Sequence, residues 1–247
     1  MKIAIDLGHG VGQDRGATGI ISEETIINNV GRLVISKLKA LGHTVIETRP
    51  VTASCVTDAL EQRTNKANFS NVDLFASIHA NAGGGIGTEV FTFKGKELEQ
   101  ARAVLNNLVN LGFRNRGLKG NSLYVTGHAK APAMLIEICF IDTPSDIDLY
   151  NSIGVENIAD AIVKGLVGQT ITNKKGYIVT NYLPNGYRGN NEFEGVDLEY
   201  VLSYFDGVRC YAKSNSKGIW IETEYLDISK CNELKETLGS WFYEIRY

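Results

Sequence analysis

Hydrophobic and polar positions follow two rhythms along the chain, and the changes between them mark its elements. A nearly unbroken apolar run at residues 2–6 predicts a strand buried on both faces, and it breaks at Gly8-His9-Gly10. Apolar positions then recur at steps of three and four (Ile27, Val30, Val34, Leu38, Leu41), which predicts a helix over 23–41 closed by Gly42. Residues 43–49 predict a strand, 58–69 a helix, 73–81 and 87–93 strands, and 96–113 an amphipathic helix. Strands at 122–125 and 133–141 and a helix at 157–167 complete this part. Alternating strands and helices predict an α/β fold, with a mostly parallel sheet covered by helices on both faces.

The rhythm stops at 169–176, a polar stretch that reads as a linker between a domain at 1–168 and a second at 177–247. In the second, strand 177–183, helix 198–205, strands 208–213 and 218–225, helix 229–238 and strand 241–246 predict a small α+β domain of βαββαβ order. Residues 185–194 read as an insertion. Each half closes its helix at a glycine followed four residues later by a tyrosine (Gly207/Tyr211, Gly239/Tyr243), a weak internal repeat.

Composition narrows the class. Of 247 residues, 43% are apolar and 21% charged, with net charge −3, as in ordinary globular proteins. No apolar run is long enough for membrane insertion. The slight acidity and the lack of a basic stripe argue against nucleic acid as a partner. The four cysteines have no paired spacing and are expected to be reduced and mostly packed. The chain starts directly on a strand, so synthesis in the cytoplasm without a signal peptide is expected.

Chemistry concentrates in the first domain. His9 and His79 each end a predicted strand, and in a parallel sheet the carboxyl ends of the strands gather the ligand. Glu137 interrupts the apolar run AMLIEICFI, where a carboxylate must be paired, protonated or beside a cation. Two histidines and a carboxylate suggest a zinc site with an open position. If Glu137 is the base, a third ligand comes from the Glu23-Glu24 doublet at the helix start. Four residues before Ile27 lies Glu23, on the core-facing side, while Glu24 sits about 100° round the helix. Both could instead serve the helix dipole. His43 reads as a surface turn residue, His128 as a residue near the mouth of the site, and Asn81 as a rim contact. The glycine-rich GHGVGQDRGATG lacks the ending of a phosphate-binding loop.

The segments DLGHG, LFASIHANA and PAMLIEICFID, in this order and with a glutamate after the first, resemble the zinc-dependent N-acetylmuramoyl-L-alanine amidases of the amidase-3 family. Bacterial autolysins and phage endolysins belong to that family, and the resemblance spans roughly residues 1–168. It implies zinc held by His9, Glu23 and His79, with Glu137 as catalytic acid/base. It also implies peptidoglycan as substrate, cut between N-acetylmuramic acid and L-alanine. Glu23 lies at the family's usual distance from the helix-closing glycine, although the doublet keeps Glu24 open. The βαββαβ domain weakly resembles SPOR-type wall-binding modules, with tyrosines and tryptophans that could stack on sugars. Two other readings are a non-catalytic wall-binding protein and a zinc peptidase acting within the stem peptide; the His-Glu-x-x-His helix of most zinc peptidases is absent. Without a leader, such an enzyme is expected to reach the wall after holin-mediated release or lysis.

Overall fold

The structure is a computed structural model that describes residues 1–170, 175–185 and 195–247. The chain forms two compact units, Met1–Ile171 and Thr172–Tyr247. Part of the expected linker, and all but the first residue of the expected insertion at 185–194, lie outside the described residues.

The first unit contains, in chain order, β1 (Lys2–Leu7), α1 (Glu23–Ala40), β2 (Thr44–Glu47), α2 (Val56–Phe69), β3 (Leu74–Asn81), β4 (Thr88–Phe93), α3 (Glu99–Asn110), β5 (Asn115–Asn121), α4 (Tyr124–His128), β6 (Ala133–Phe140), α5 (Pro144–Ile153) and α6 (Val155–Val167). The strands form one sheet in the order β2-β1-β3-β6-β4-β5, parallel except where β4 runs against β6. This is the mostly parallel α/β architecture that the alternation predicts.

Strand alternation sends successive side chains to opposite faces. Ile3, Ile5, Leu74, Ala76, Ile78, Met134 and Ile136 join α1, α3 and α6 in the larger core. Ala4, Phe75, Ala133 and Leu135 join α2 and α4 in a smaller core on the other face. By the same alternation Asp6, Ser77, His79 and Glu137 belong to the α2–α4 face. Helix α1 is capped by Ser22, whose hydroxyl accepts from the Thr25 amide, so the helix starts at Glu23.

Two expectations need correction, and one helix, α5, was not expected at all. Residues 122–125 do not form a strand: Tyr124–His128 is a short helix, and the strand is the preceding Asn115–Asn121. That strand (NRGLKGN) lies at the sheet edge and has no apolar alternation to announce it. The helix expected over 96–113 begins only at Glu99, because the backbone of Leu98 is still extended (φ −137°, ψ 118°) after the turn at Lys94 and Gly95. Helix α5 carries only two buried apolar side chains, Ile147 and Tyr150, too few for a visible stripe, though Pro144 occupies the helix-opening position that proline favours.

The second unit contains β7 (Lys175–Thr180), α7 (Leu198–Leu202), β8 (Cys210–Asn215), β9 (Gly218–Thr223), β10 (Leu226–Asp227), α8 (Ile228–Leu238) and β11 (Phe242–Arg246). Every pairing is antiparallel: β9 and β11 flank β7, β10 pairs with its start, and β8 borders β9. Ile178, Phe205, Ile221, Cys231, Leu234 and Leu238 form its core. All four cysteines are free; Cys139 and Cys231 are buried, whereas Cys55 is exposed at the start of α2.

Buried Asp146 ties α5 to the sheet by accepting from the amides of Gly87 and Phe140, both at 2.8 Å. Asp146→Ala leaves two buried donors unpaired, each costing about 1–3 kcal/mol. The variant should therefore lose about 2–5 kcal/mol of first-unit stability in urea denaturation.

Candidate metal centre

The site is built from a turn, a helix start and a strand end. After β1 the chain turns through Gly8-His9-Gly10, with His9 itself at φ +55°. Gly8 is required there, because a Cβ would lie 2.3 Å from His79 Nε2. Arg63, 1% exposed, reaches from α2 to donate to the carbonyls of Leu7 and His9, both at 2.7 Å, and to the Asp6 and Asp14 carboxylates. Arg49 adds bonds to the carbonyls of Leu7 and Gly8. The turn is thus fixed by two guanidinium groups.

His9 Nδ1 donates to the Asp14 carboxylate, which leaves Nε2 facing Glu23 Oε1 at 3.3 Å. His79 Nδ1 lies 3.0 Å from the same oxygen, and the two imidazoles stand nearly perpendicular. Glu23 is 5% exposed and also accepts from the amides of Ala17 and Ala80. One donor atom from each of His9, Glu23 and His79 lies within 4.8 Å of the others. Glu24 turns away and pairs with Arg15 at 2.8 Å. One carboxylate and two imidazoles form a donor set that suits a borderline cation such as zinc with an open fourth position. The surroundings leave it room: a Cβ on Gly16, at φ +69°, would lie 2.8 Å from Glu23 Oε2.

The electrostatics agree with a cation site. Burial works against a charged His9, yet Glu23 and Asp14 outweigh it and push its pKa up to about 9. Burial likewise opposes ionisation of Glu23, but His79 and His9 hold it well below the usual carboxylate range. Two anions facing one imidazole hold a proton where a metal ion would supply the positive charge.

Glu137 stands one strand away. It is the register partner of His79 on β3 and of Glu89 on β4, so the three share a face. Its Oε2 is buried and has no hydrogen-bond partner among the described residues. Burial pushes its pKa up to about 7; His79 works against the rise, while the charges of Glu23 and Glu89 add to it. Glu89 is itself buried and accepts from Asn81 Nδ2 and Arg116 Nε, both at 2.8 Å. The Arg116 guanidinium rests over the Phe140 ring, 4.7 Å from its centroid.

Asn81 is committed to this network, since its Oδ1 also accepts from the Ala82 amide. His128 stacks on Tyr124 and is exposed, and His43 lies beside the N-terminal amine. Neither joins the three-residue cluster. Sequence reasoning missed Asp14, Arg63, Glu89 and Arg116. Two of them left a trace: Glu89 breaks the run GTEVFTF as Glu137 breaks its own, and Arg63 falls on the Ala59–Ala67 side of α2 that packs inward.

The second unit has a separate feature. A cleft of about 340 Å³ is lined by Asn181, Tyr182, Asn215, Trp220, Tyr243 and Arg246. The Trp220 and Tyr182 rings meet edge to face, and Asn215 donates to the Tyr182 hydroxyl at 3.0 Å.

Comparison with known proteins bears on the first unit. Residues 3–167 match the Amidase_3 family model, described as N-acetylmuramoyl-L-alanine amidase. The chain is 33% identical over 195 residues to an uncharacterised protein of Clostridium perfringens, a match covering 75% of this chain and 55% of that protein. It is 33% identical over 219 residues to the N-acetylmuramoyl-L-alanine amidase CwlM of Bacillus licheniformis, covering 87% of this chain and 86% of CwlM. Among solved structures it is similar to the catalytic domain of the CD27L endolysin targeting Clostridia difficile, with TM-score 0.62 and 28% identity, over 70% of this chain and 99% of that one. The chain thus spans about half the length of the first of these curated relatives and most of the second.

Two outcomes are expected from zinc titration of the metal-free protein. His9 must give up a proton to become a ligand, so affinity rises with pH up to about 9 and levels off above it. Asp14→Ala frees the His9 ring and lowers affinity roughly 10–100-fold, whereas Glu24→Ala stays within about twofold of wild type, because Glu24 faces Arg15.

Proposed function

The chain belongs to the N-acetylmuramoyl-L-alanine amidase family, and from that membership we propose that its first domain, residues 1–168, is a zinc-dependent peptidoglycan amidase. It hydrolyses the amide between the lactyl group of N-acetylmuramic acid and L-alanine of the stem peptide. The observation that carries this reading is the convergence of His9, Glu23 and His79 beside buried Glu137, whose Oε2 has no hydrogen-bond partner among the described residues.

His9, Glu23 and His79 would hold the zinc, and the bound metal would supply Lewis acidity toward the amide carbonyl and the hydrolytic water. Asp14 fixes the His9 tautomer so that Nε2 is the free donor. Glu137 takes the proton from the attacking water and returns it to the departing alanine nitrogen. Its pKa near neutrality suits both halves of that task, since a group poised there gives up and regains a proton readily. Glu89, held by Arg116 and Asn81, supports that poise with its nearby negative charge.

The second domain, which the sequence places at 177–247 and whose first strand β7 already begins at Lys175, serves in this reading as a wall-binding module. The strand order β11-β7-β9-β8 and the aromatic, amide and guanidinium groups of the Trp220 cleft support it. Aromatic faces stack on sugar rings, and amides and arginine bond their hydroxyl and carboxylate groups. Release from the cell by holin or lysis remains part of the proposal; among the described residues no helix is long and apolar enough to cross a membrane.

Digestion of purified walls tests the activity. New amino termini without new reducing ends are expected; reducing ends would indicate a glycosidase instead. Glu137→Gln should keep its zinc and lose roughly 10²–10⁴-fold in kcat/KM. Because Glu137 must be ionised to accept a proton, wild-type kcat/KM should fall as the pH drops through the pKa of Glu137, which burial raises and bound zinc would lower, and the variant should lack that acid limb.

A further inference from the structure

Beside the metal ligands lies a cavity that holding a metal does not require. It has a volume of about 200 Å³, and its polar boundary is formed by His9, His79 and the buried Asp6–Asp14–Arg63 cluster. Its other walls are mainly apolar: Val56 and Leu60 from α2, Leu123, Tyr124 and Val125 at the start of α4, and Leu135 from β6. The sheet explains the position. Leu135 lies two residues before Glu137 and so on the same face, and His79 is the register partner of Glu137. The greasy walls therefore adjoin the side of the sheet that carries the proposed acid/base. They are also held in place. Asn68 of α2 donates to the His128 carbonyl at 2.9 Å and accepts from the Lys130 amide at 2.8 Å, pinning the end of α4 to α2. Val56, 45% exposed, stands at the rim, so the cavity opens to solvent.

We propose that this cavity is the specificity pocket for a methyl substituent flanking the scissile amide. The inference rests on the amidase reading of the site. That substrate carries two such groups, the methyl of the lactyl unit and the methyl of the first stem residue, L-alanine. Water against the leucine and valine side of the pocket finds few hydrogen-bond partners, whereas a methyl placed there leaves water for an apolar surface. One methyl in an apolar pocket is worth about ten- to 200-fold in kcat/KM. The pocket is wider than a methyl, so larger wall side chains can fill it without disturbing the ligands.

The experiment uses the full-length, zinc-loaded protein and three soluble substrates. These are N-acetylmuramoyl-L-alanyl-D-isoglutamine, its glycyl analogue lacking the alanine methyl, and its glycolyl analogue lacking the lactyl methyl. Release of the new amino terminus is followed for wild type, Leu60→Phe and the rim variant Val56→Trp, whose exposed position spares the core. In wild type, removal of one of the two methyls should lower kcat/KM about tenfold or more, and the sensitive arm identifies which methyl enters. In at least one filled variant that preference should shrink threefold or more, with zinc content unchanged. A wild type indifferent to both methyls, or preferences that shrink less than threefold in both variants, overturns the pocket while leaving the amidase reading intact. Failure of the wild type to release any amino terminus overturns both.

Discussion

The most deeply buried anchor of the site is a guanidinium, Arg63, seconded by Arg49. Arg63 lies under the turn that follows β1, bonded to two backbone carbonyls and two carboxylates, and is shut off from water. Without it, the His9 carbonyl would lose its guanidinium donor, Leu7 would keep only Arg49, and Asp6 and Asp14 would be left without their shared cation in the interior. Removing one partner of such a buried pair costs about 3–5 kcal/mol. What the arrangement secures is geometry: the left-handed turn at His9, the Asp14 contact that sets its tautomer, and through it the direction of Nε2. Ser77 and Thr48 donate to Asp6 as well, so strands β1 and β3 and the end of β2 share the same anchor.

From that anchor a row of polar groups crosses the end of the sheet: His79, Glu137 and Glu89 on neighbouring strands, with Arg116 against Glu89. The row shows how one fold gives two carboxylates opposite characters. Glu23 faces two imidazoles and is driven towards the anion, while Glu137, on the strand beside His79, has no partner at Oε2 among the described residues and is driven towards the neutral acid. In the proposed reaction a ligand must stay charged and an acid/base must change charge, and this divergence would suit Glu23 to the first role and Glu137 to the second.

The long elements were legible because burial writes itself into their sequence. The stripe of α1 and the apolar runs of β1, β3 and β6 reflect packing on both faces of the sheet, and the Glu23 phase followed from the same stripe. The edge strand β5 was not legible, since one flank lacks a neighbour and its residues need not be apolar. Helix α5 was missed because Asp146, a polar anchor, does much of the docking that side-chain apolarity does elsewhere. In the site, residues that announce themselves at strand ends were found. Those that act through them, Arg63, Asp14 and Arg116, sit in a helix, a loop and an edge strand, where a charged residue is the default expectation.

The central claim is that His9, Glu23 and His79 together bind zinc. X-ray absorption at the zinc edge of the zinc-loaded protein tests it directly. The account predicts about one zinc per chain, with two imidazole nitrogens and a carboxylate oxygen at about 2.0–2.2 Å, no sulfur, and loss of one imidazole in His79→Ala. A spectrum without imidazole scattering, or one unchanged by removal of His79, would contradict it.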